Sequence, residues 1–145
     1  MDSFGQHMFT DAVKALQDRV GTREKFEVFY KHRLREGIGP DEASFLQSRD
    51  SFYIASVGET GWPYVQHRGG PAGFIKVIDA QTIGYVDYPG NKQFITTGNL
   101  KSEGRVSLFF MDYPRKGRLK LLARARFVET KPNPRLTAQL VLDGA

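Results

Sequence analysis

The chain has 145 residues, the length of one ordinary domain, and can bury about two thirds of the surface its unfolded form exposes. It has no cysteine, which excludes disulfides, thiolate zinc sites and iron–sulfur clusters, and its three histidines come without clustered carboxylates, so no metal site is expected. The net charge of +5 favours anionic partners, and no apolar run approaches the roughly 18 residues of a membrane span.

The first residues hold an acid and neither the basic nor the apolar stretch of a secretory signal, so the expected location is cytoplasmic. Phe9, Ala12, Val13, Leu16 and Val20 then recur at helical spacing between a cap at Thr10 or Asp11 and a stop at Gly21. Phe26, Phe29, Tyr30 and Leu34 continue that period until Gly37-Ile38-Gly39 breaks it. Pro40 suits a first helical turn, Asp41 and Glu42 complement the helix dipole there, and Phe45 and Leu46 supply an inward face, with an end near Asp50.

From Ser51 the pattern becomes that of strands. Residues 52–57 are rich in β-formers, and Gly58-Glu59-Thr60-Gly61 turns the chain into a second strand over residues 62–68. A glycine-rich loop over residues 69–73 precedes a third strand at 74–78, a turn, and a fourth strand at 83–88. Pro89-Gly90-Asn91 opens a polar helical stretch to about Leu100, and residues 105–111 resume strand character. In residues 118–128, Leu119, Leu121, Ala123, Ala125 and Phe127 alternate with Arg118, Lys120, Arg124 and Arg126, the period of a half-buried strand. Pro132-Asn133-Pro134 interrupts the chain before a weak helical pattern through Leu136 and Leu140 to Leu142. The expected fold is mainly β with flanking helices, a six-stranded antiparallel barrel in one domain: a helical segment at 1–50, the barrel at 51–130 and a tail at 131–145.

Two stretches carry groups suited to an anion. Strand alternation projects Tyr64, Gln66 and Arg68 to one side and Val65 and His67 to the other, beside a glycine loop whose N–H groups can approach a phosphate gripped by Arg68. A solvated rim arginine before a flexible loop accounts for the same residues. In Pro89-Gly90-Asn91-Lys92-Gln93 a helix N-terminus with Lys92 makes an anion cradle, whereas Asn91 as a plain cap with Lys92 at the surface is the structural alternative. No Ser-His-Asp or Cys-His triad assembles, GxGxxG and P-loop signatures are absent, and no catalytic residue is assigned.

The succession Gly61-Trp62-Pro63, Arg68, Phe74-Ile75-Lys76-Val77-Ile78-Asp79, Tyr85, Gly90-Asn91-Lys92 and Arg105-Val106-Ser107-Leu108-Phe109-Phe110 resembles the pyridoxamine 5′-phosphate oxidase family, over roughly residues 45–129. That resemblance implies a split β-barrel that binds flavin mononucleotide, FMN, with an oxidoreductase activity on a small-molecule substrate or electron acceptor. It implies that Arg68, with Gln66 and His67, contacts the ribityl phosphate and that Lys92 with Asn91 binds the phosphate. It also places Lys76 near the flavin ring and Tyr85 and Val86 along the cofactor. Two departures stand out: Gly90-Asn91-Lys92 replaces a Ser-Arg-Lys pattern, removing one cation, and residues 69–73 form an inserted loop. The family's C-terminal arginine and histidine segment has no counterpart after Pro134, so oxidation of pyridoxamine phosphate itself is not expected.

Such barrels pair as homodimers with flavin at the interface, and burying Phe109, Tyr113 and Tyr88 between two copies suits this sequence. Two rival readings differ in class. One is a flavin or deazaflavin (F420) carrier without a substrate of its own; the other is a basic barrel that binds nucleic acid through Arg118, Lys120, Arg124 and Arg126 with Tyr113 as a stacking platform.

Overall fold

The structure, a computed structural model, describes residues 4–32, 37–88, 90–129, 131 and 134–140. Leu34, Pro89, Pro132, Asn133 and Leu142, which entered the expected elements, lie outside the described residues, as do the side chains of His32 and Leu136. The chain divides into two compact units, Met1–Gly37 and Ile38–Ala145.

The first unit holds α1 (Phe4–Met8), α2 (Asp11–Val20) and α3 (Arg23–His32). Thr10 caps α2 with its hydroxyl, which accepts the Val13 N–H at 3.4 Å. Gly21 ends it in the left-handed conformation, φ 71°, so that the Thr22 N–H can return to the Gln17 carbonyl at 2.9 Å. Phe9 and Tyr30 meet edge to face at 5.2 Å, and Tyr30 also stacks on Phe4, which clamps the helices together.

The second unit begins with α4 (Pro40–Gln47), which ends three residues before the expected Asp50 because Ser48 N–H and Oγ close its last turn on the Ser44 and Phe45 carbonyls. Strands β1 (Ser51–Val57), β2 (Pro63–Gly69), β3 (Ile75–Asp79) and β4 (Thr82–Tyr85) follow, then α5 (Ile95–Ser102), β5 (Arg105–Asp112), β6 (Gly117–Arg124) and α6 (Pro134–Leu140). The strands form a four-stranded antiparallel sheet in the order β2-β1-β5-β6 and a separate two-stranded sheet, β3-β4. The expected closure into one six-stranded barrel is therefore not made by hydrogen bonds among the described residues. The β3–β4 hairpin is held to the larger sheet by side chains instead. β4 and β6 also stop short of the expected Tyr88 and Val128, because residues 86–88 and 125–129 leave the ladders.

Phe52 is where the two sheets meet. It lies between Phe110 of β5 at 5.1 Å, Phe74 at 6.0 Å and Tyr85 of β4 at 5.0 Å, and it is 2 % exposed. Leu46 of α4, Ile75 of β3, and Ile54, Val106 and Leu108, which the alternation along β1 and β5 sends inward, complete the buried core. Gly84 of β4 leaves space for α6: a Cβ there would meet a Leu140 methyl at 2.5 Å. No helix among the described residues is long and apolar enough to cross a membrane.

A polar knot ties α4 to the end of β5. Arg49 donates to Asp112 Oδ2 at 3.0 Å and to the Met111 carbonyl at 3.1 Å, its guanidinium lies 4.6 Å over the Phe45 ring, and Arg115 donates to the same carboxylate. Burial pushes the Asp112 carboxyl up, but hydrogen bonds from Arg115 and the charge of Arg49 outweigh it and hold the group below its ordinary value. Folded stability from this group is thus present above the ordinary carboxylate range and is lost as pH falls through the depressed folded value. Asp112→Asn is expected to lower the melting temperature at neutral pH and to flatten its decline on the acid side, which thermal denaturation across pH measures. Phe52→Ala is expected to cost about 3–5 kcal/mol in chemical denaturation, since it empties the contact between the sheets.

Candidate functional site

Alternation along β2 turns Tyr64, Gln66 and Arg68 toward the interior and leaves Val65 and His67 outside, as expected from the sequence. Register does the rest. Arg68 lies opposite Phe52 on β1, and Phe52 packs on Tyr85, so Arg68 is brought against the end of the second sheet. There its Nη1 donates to Asp87 Oδ1 in an ion pair, with the Arg68 side chain 16 % exposed. Its Nε is buried and has no acceptor among the described residues.

Around this pair is a recess of about 200 Å³. Gln66, His67, Arg68 and Gly69 of β2 line one side; Tyr85 of β4 and the following Val86, Asp87 and Tyr88 line the other, with Phe74 and Gly90 at the margins. Gln66 is fixed from behind, because its Oε1 accepts the Thr96 hydroxyl of α5 at 2.6 Å. His67, on the outer side, meets the Tyr53 ring edge to face at 5.4 Å. Burial pushes the Tyr85 phenol above its ordinary value, with Asp87 reinforcing and Arg68 opposing the shift, so at neutral pH it is a proton-bearing donor in the recess wall.

The structure brings together Gln66, His67, Arg68, Tyr85 and Val86 among the expected site residues. Lys76, Asn91 and Lys92 are outside the lining: Lys76 is half-buried on β3, opposite Gly84, and Asn91 and Lys92 are exposed in the segment after Gly90. That segment is not the expected helix start. The Asn91 side chain accepts the Gln93 N–H at 3.2 Å in a turn of its own, Lys92 and Phe94 are both left-handed (φ 59° and 56°), and α5 begins only at Ile95. The glycine loop also differs from expectation. The Gly70 N–H is spent on the Asp50 carbonyl at 2.9 Å, and a Cβ at Gly70 would meet the Phe74 ring at 2.8 Å and Tyr88 at 3.0 Å. Gly70 is there for ring packing. Tyr88 accordingly packs on Phe74 in its own chain, 6.4 Å between centroids, leaving Tyr113 as the exposed ring of the three expected at an interface and Phe109 half-buried.

Asp87 was missed by the sequence reading, and so were Phe74 and Tyr88 as wall residues. The available signal for Asp87 was its place two residues beyond Tyr85 on an extended segment, which puts both side chains on one face. Among the described residues no group of three or more His, Asp or Glu is placed to hold a metal.

A mainly antiparallel β-protein with a polar recess between its two sheets is the class that fold and site define. The family model for pyridoxamine 5′-phosphate oxidase matches residues 39–139, and the chain belongs to that family. A crystal structure of a tagged HupZ variant from Group A Streptococcus is similar at 17 % identity, with 60 % of this chain and 67 % of that chain covered and a TM-score of 0.47. No curated protein matches the chain.

Proposed function

We propose that the protein binds flavin mononucleotide, with the phosphate and ribityl end of the cofactor in the recess at Arg68, and that the loaded protein is an oxidoreductase. The observation that carries this reading is Arg68, mostly buried in the lining of the recess, whose buried Nε has no acceptor among the described residues. Buried donors are rarely left without acceptors, and a phosphate or ribityl oxygen supplies one. The Gln66 amide and the Tyr85 phenol are the donors for ribityl hydroxyls, with His67 and Val86 at the rim. Asn91 and Lys92, beyond Gly90, form a second anion contact, and Lys76 a contact toward the ring. The cofactor supplies hydride chemistry at its ring, so the protein is left to bind, orient and exclude water.

The recess volume of about 200 Å³ lies below the roughly 300 Å³ of pockets that enclose a drug-sized ligand, so it holds part of such a cofactor. A second copy of the chain is the proposed cover for the remainder. The outer face of the four-stranded sheet supports this: Val65 is 61 % exposed, and Tyr53, Val57 and Leu122 also reach solvent on that side. Because Leu122 interrupts the basic row of β6 and Val65, Tyr53 and Val57 share this face, the surface suits another protein face better than a nucleic acid.

Protein reconstituted with flavin mononucleotide is expected to be yellow after desalting. Arg68→Ala is expected to weaken binding about 30-fold, roughly 2 kcal/mol, because it removes the cation and leaves Asp87 unpaired beside the anion. Titration by flavin fluorescence measures this; wild type that retains no flavin refutes the reading. Turnover of a reduced nicotinamide with an electron acceptor separates an oxidoreductase from a flavin or deazaflavin carrier. Val65→Asp is expected to shift the protein from dimer to monomer in light scattering and to lower flavin affinity with it.

A further inference from the structure

Among the described residues that line the recess, one guanidinium, Arg68, is paired with one carboxylate, Asp87. Arg68 presents three nitrogens; Nη1 is committed to Asp87, while Nε is buried without an acceptor among the described residues. The Asp87 side chain is 31 % exposed and stands on the segment after β4, at residues 86–88, which belongs to no strand ladder. It lines the same recess as Arg68. Any anion that reaches the Arg68 guanidinium therefore meets a carboxylate already paired with the same group, in a partly desolvated wall where like charges repel more strongly than in water.

We propose that Asp87 is a specificity-determining residue: a resident counter-anion that lowers the site's affinity for a phosphate monoester relative to the neutral polyol that carries it. This deepens, and rests on, the flavin reading above. The consequence is that the phosphate adds little to the affinity supplied by the rest of the flavin, because the gain from bringing phosphate to Arg68 is offset by displacing or crowding Asp87. A lone arginine in the same wall would prefer the dianion strongly.

The test compares flavin mononucleotide with riboflavin, which lacks the phosphate, by fluorescence titration of the full chain. In wild type the phosphate is expected to improve affinity by less than about tenfold, and in Asp87→Asn by about a hundredfold, each taken as the ratio of the two flavins' affinities for the same protein. Asp87→Glu, which keeps the charge, is expected to follow wild type. A wild-type preference for the phosphorylated flavin already near a hundredfold overturns the proposal without any variant, and so does an Asp87→Asn protein that binds the phosphorylated flavin no more tightly than wild type. A second readout does not depend on flavin: inorganic phosphate is expected to raise the melting temperature of Asp87→Asn more than that of wild type, and to do so no longer in the Arg68→Ala, Asp87→Asn double variant. If neither flavin binds any of these proteins, the flavin reading fails by itself and the phosphate shifts decide the role of Asp87, equal shifts in wild type and Asp87→Asn overturning it.

Discussion

Phe52 sets the geometry on which the site depends. Its ring occupies the space between the two sheets, touching Phe74, Tyr85 and Phe110, while its backbone pairs across β1 and β2 with Arg68. One residue thus links the apolar packing that holds the hairpin on the sheet to the position of the cation that faces the recess. No hydrogen-bond ladder joins the two sheets among the described residues, so the alignment of Arg68 with Tyr85 and Asp87 is a product of core packing. Close-packed interiors respond to changes of a single methylene, and substitutions in this cluster are therefore felt at the site without touching it.

The electrostatics of the recess follow from what that packing brings together. Arg68 is mostly buried beside Asp87, Tyr85 keeps its proton, and Gln66 is oriented by the Thr96 hydroxyl. The net result is a wall of directed donors with little net charge. Such a wall suits a ligand rich in hydroxyls as well as an anion, which is how the proposed flavin nucleotide combines a ribityl chain with a phosphate. The basic excess of the chain lies elsewhere, on surface positions such as Arg118, Lys120 and Arg124 of β6.

Much of this architecture was legible in the sequence because it rests on short-range periodicity. Thr10 and Gly21 marked both ends of α2, and the period of two in β2 correctly placed Gln66 and Arg68 together and His67 opposite. What escaped depends on contacts distant along the chain. The division into two sheets is decided by Phe52 packing on Tyr85, which no local pattern announces. Gly90-Asn91-Lys92 carried the composition of a helix start, yet the Asn91 side chain is used in its own turn and two left-handed residues delay α5. Gly70 has the composition of an anion loop, yet the Phe74 and Tyr88 rings are what require it. Asp87 escaped because its pairing with Arg68 spans the two sheets and leaves no mark in the local sequence.

The most direct measurement is a crystal structure of the protein grown with flavin mononucleotide. The account predicts the phosphate or ribityl oxygens within hydrogen-bond distance of the Arg68 guanidinium, between β2 and the segment that follows β4, with Phe52 packed beneath. Flavin bound at a different surface, or Arg68 and Tyr85 found on separate sides of the molecule, would contradict it.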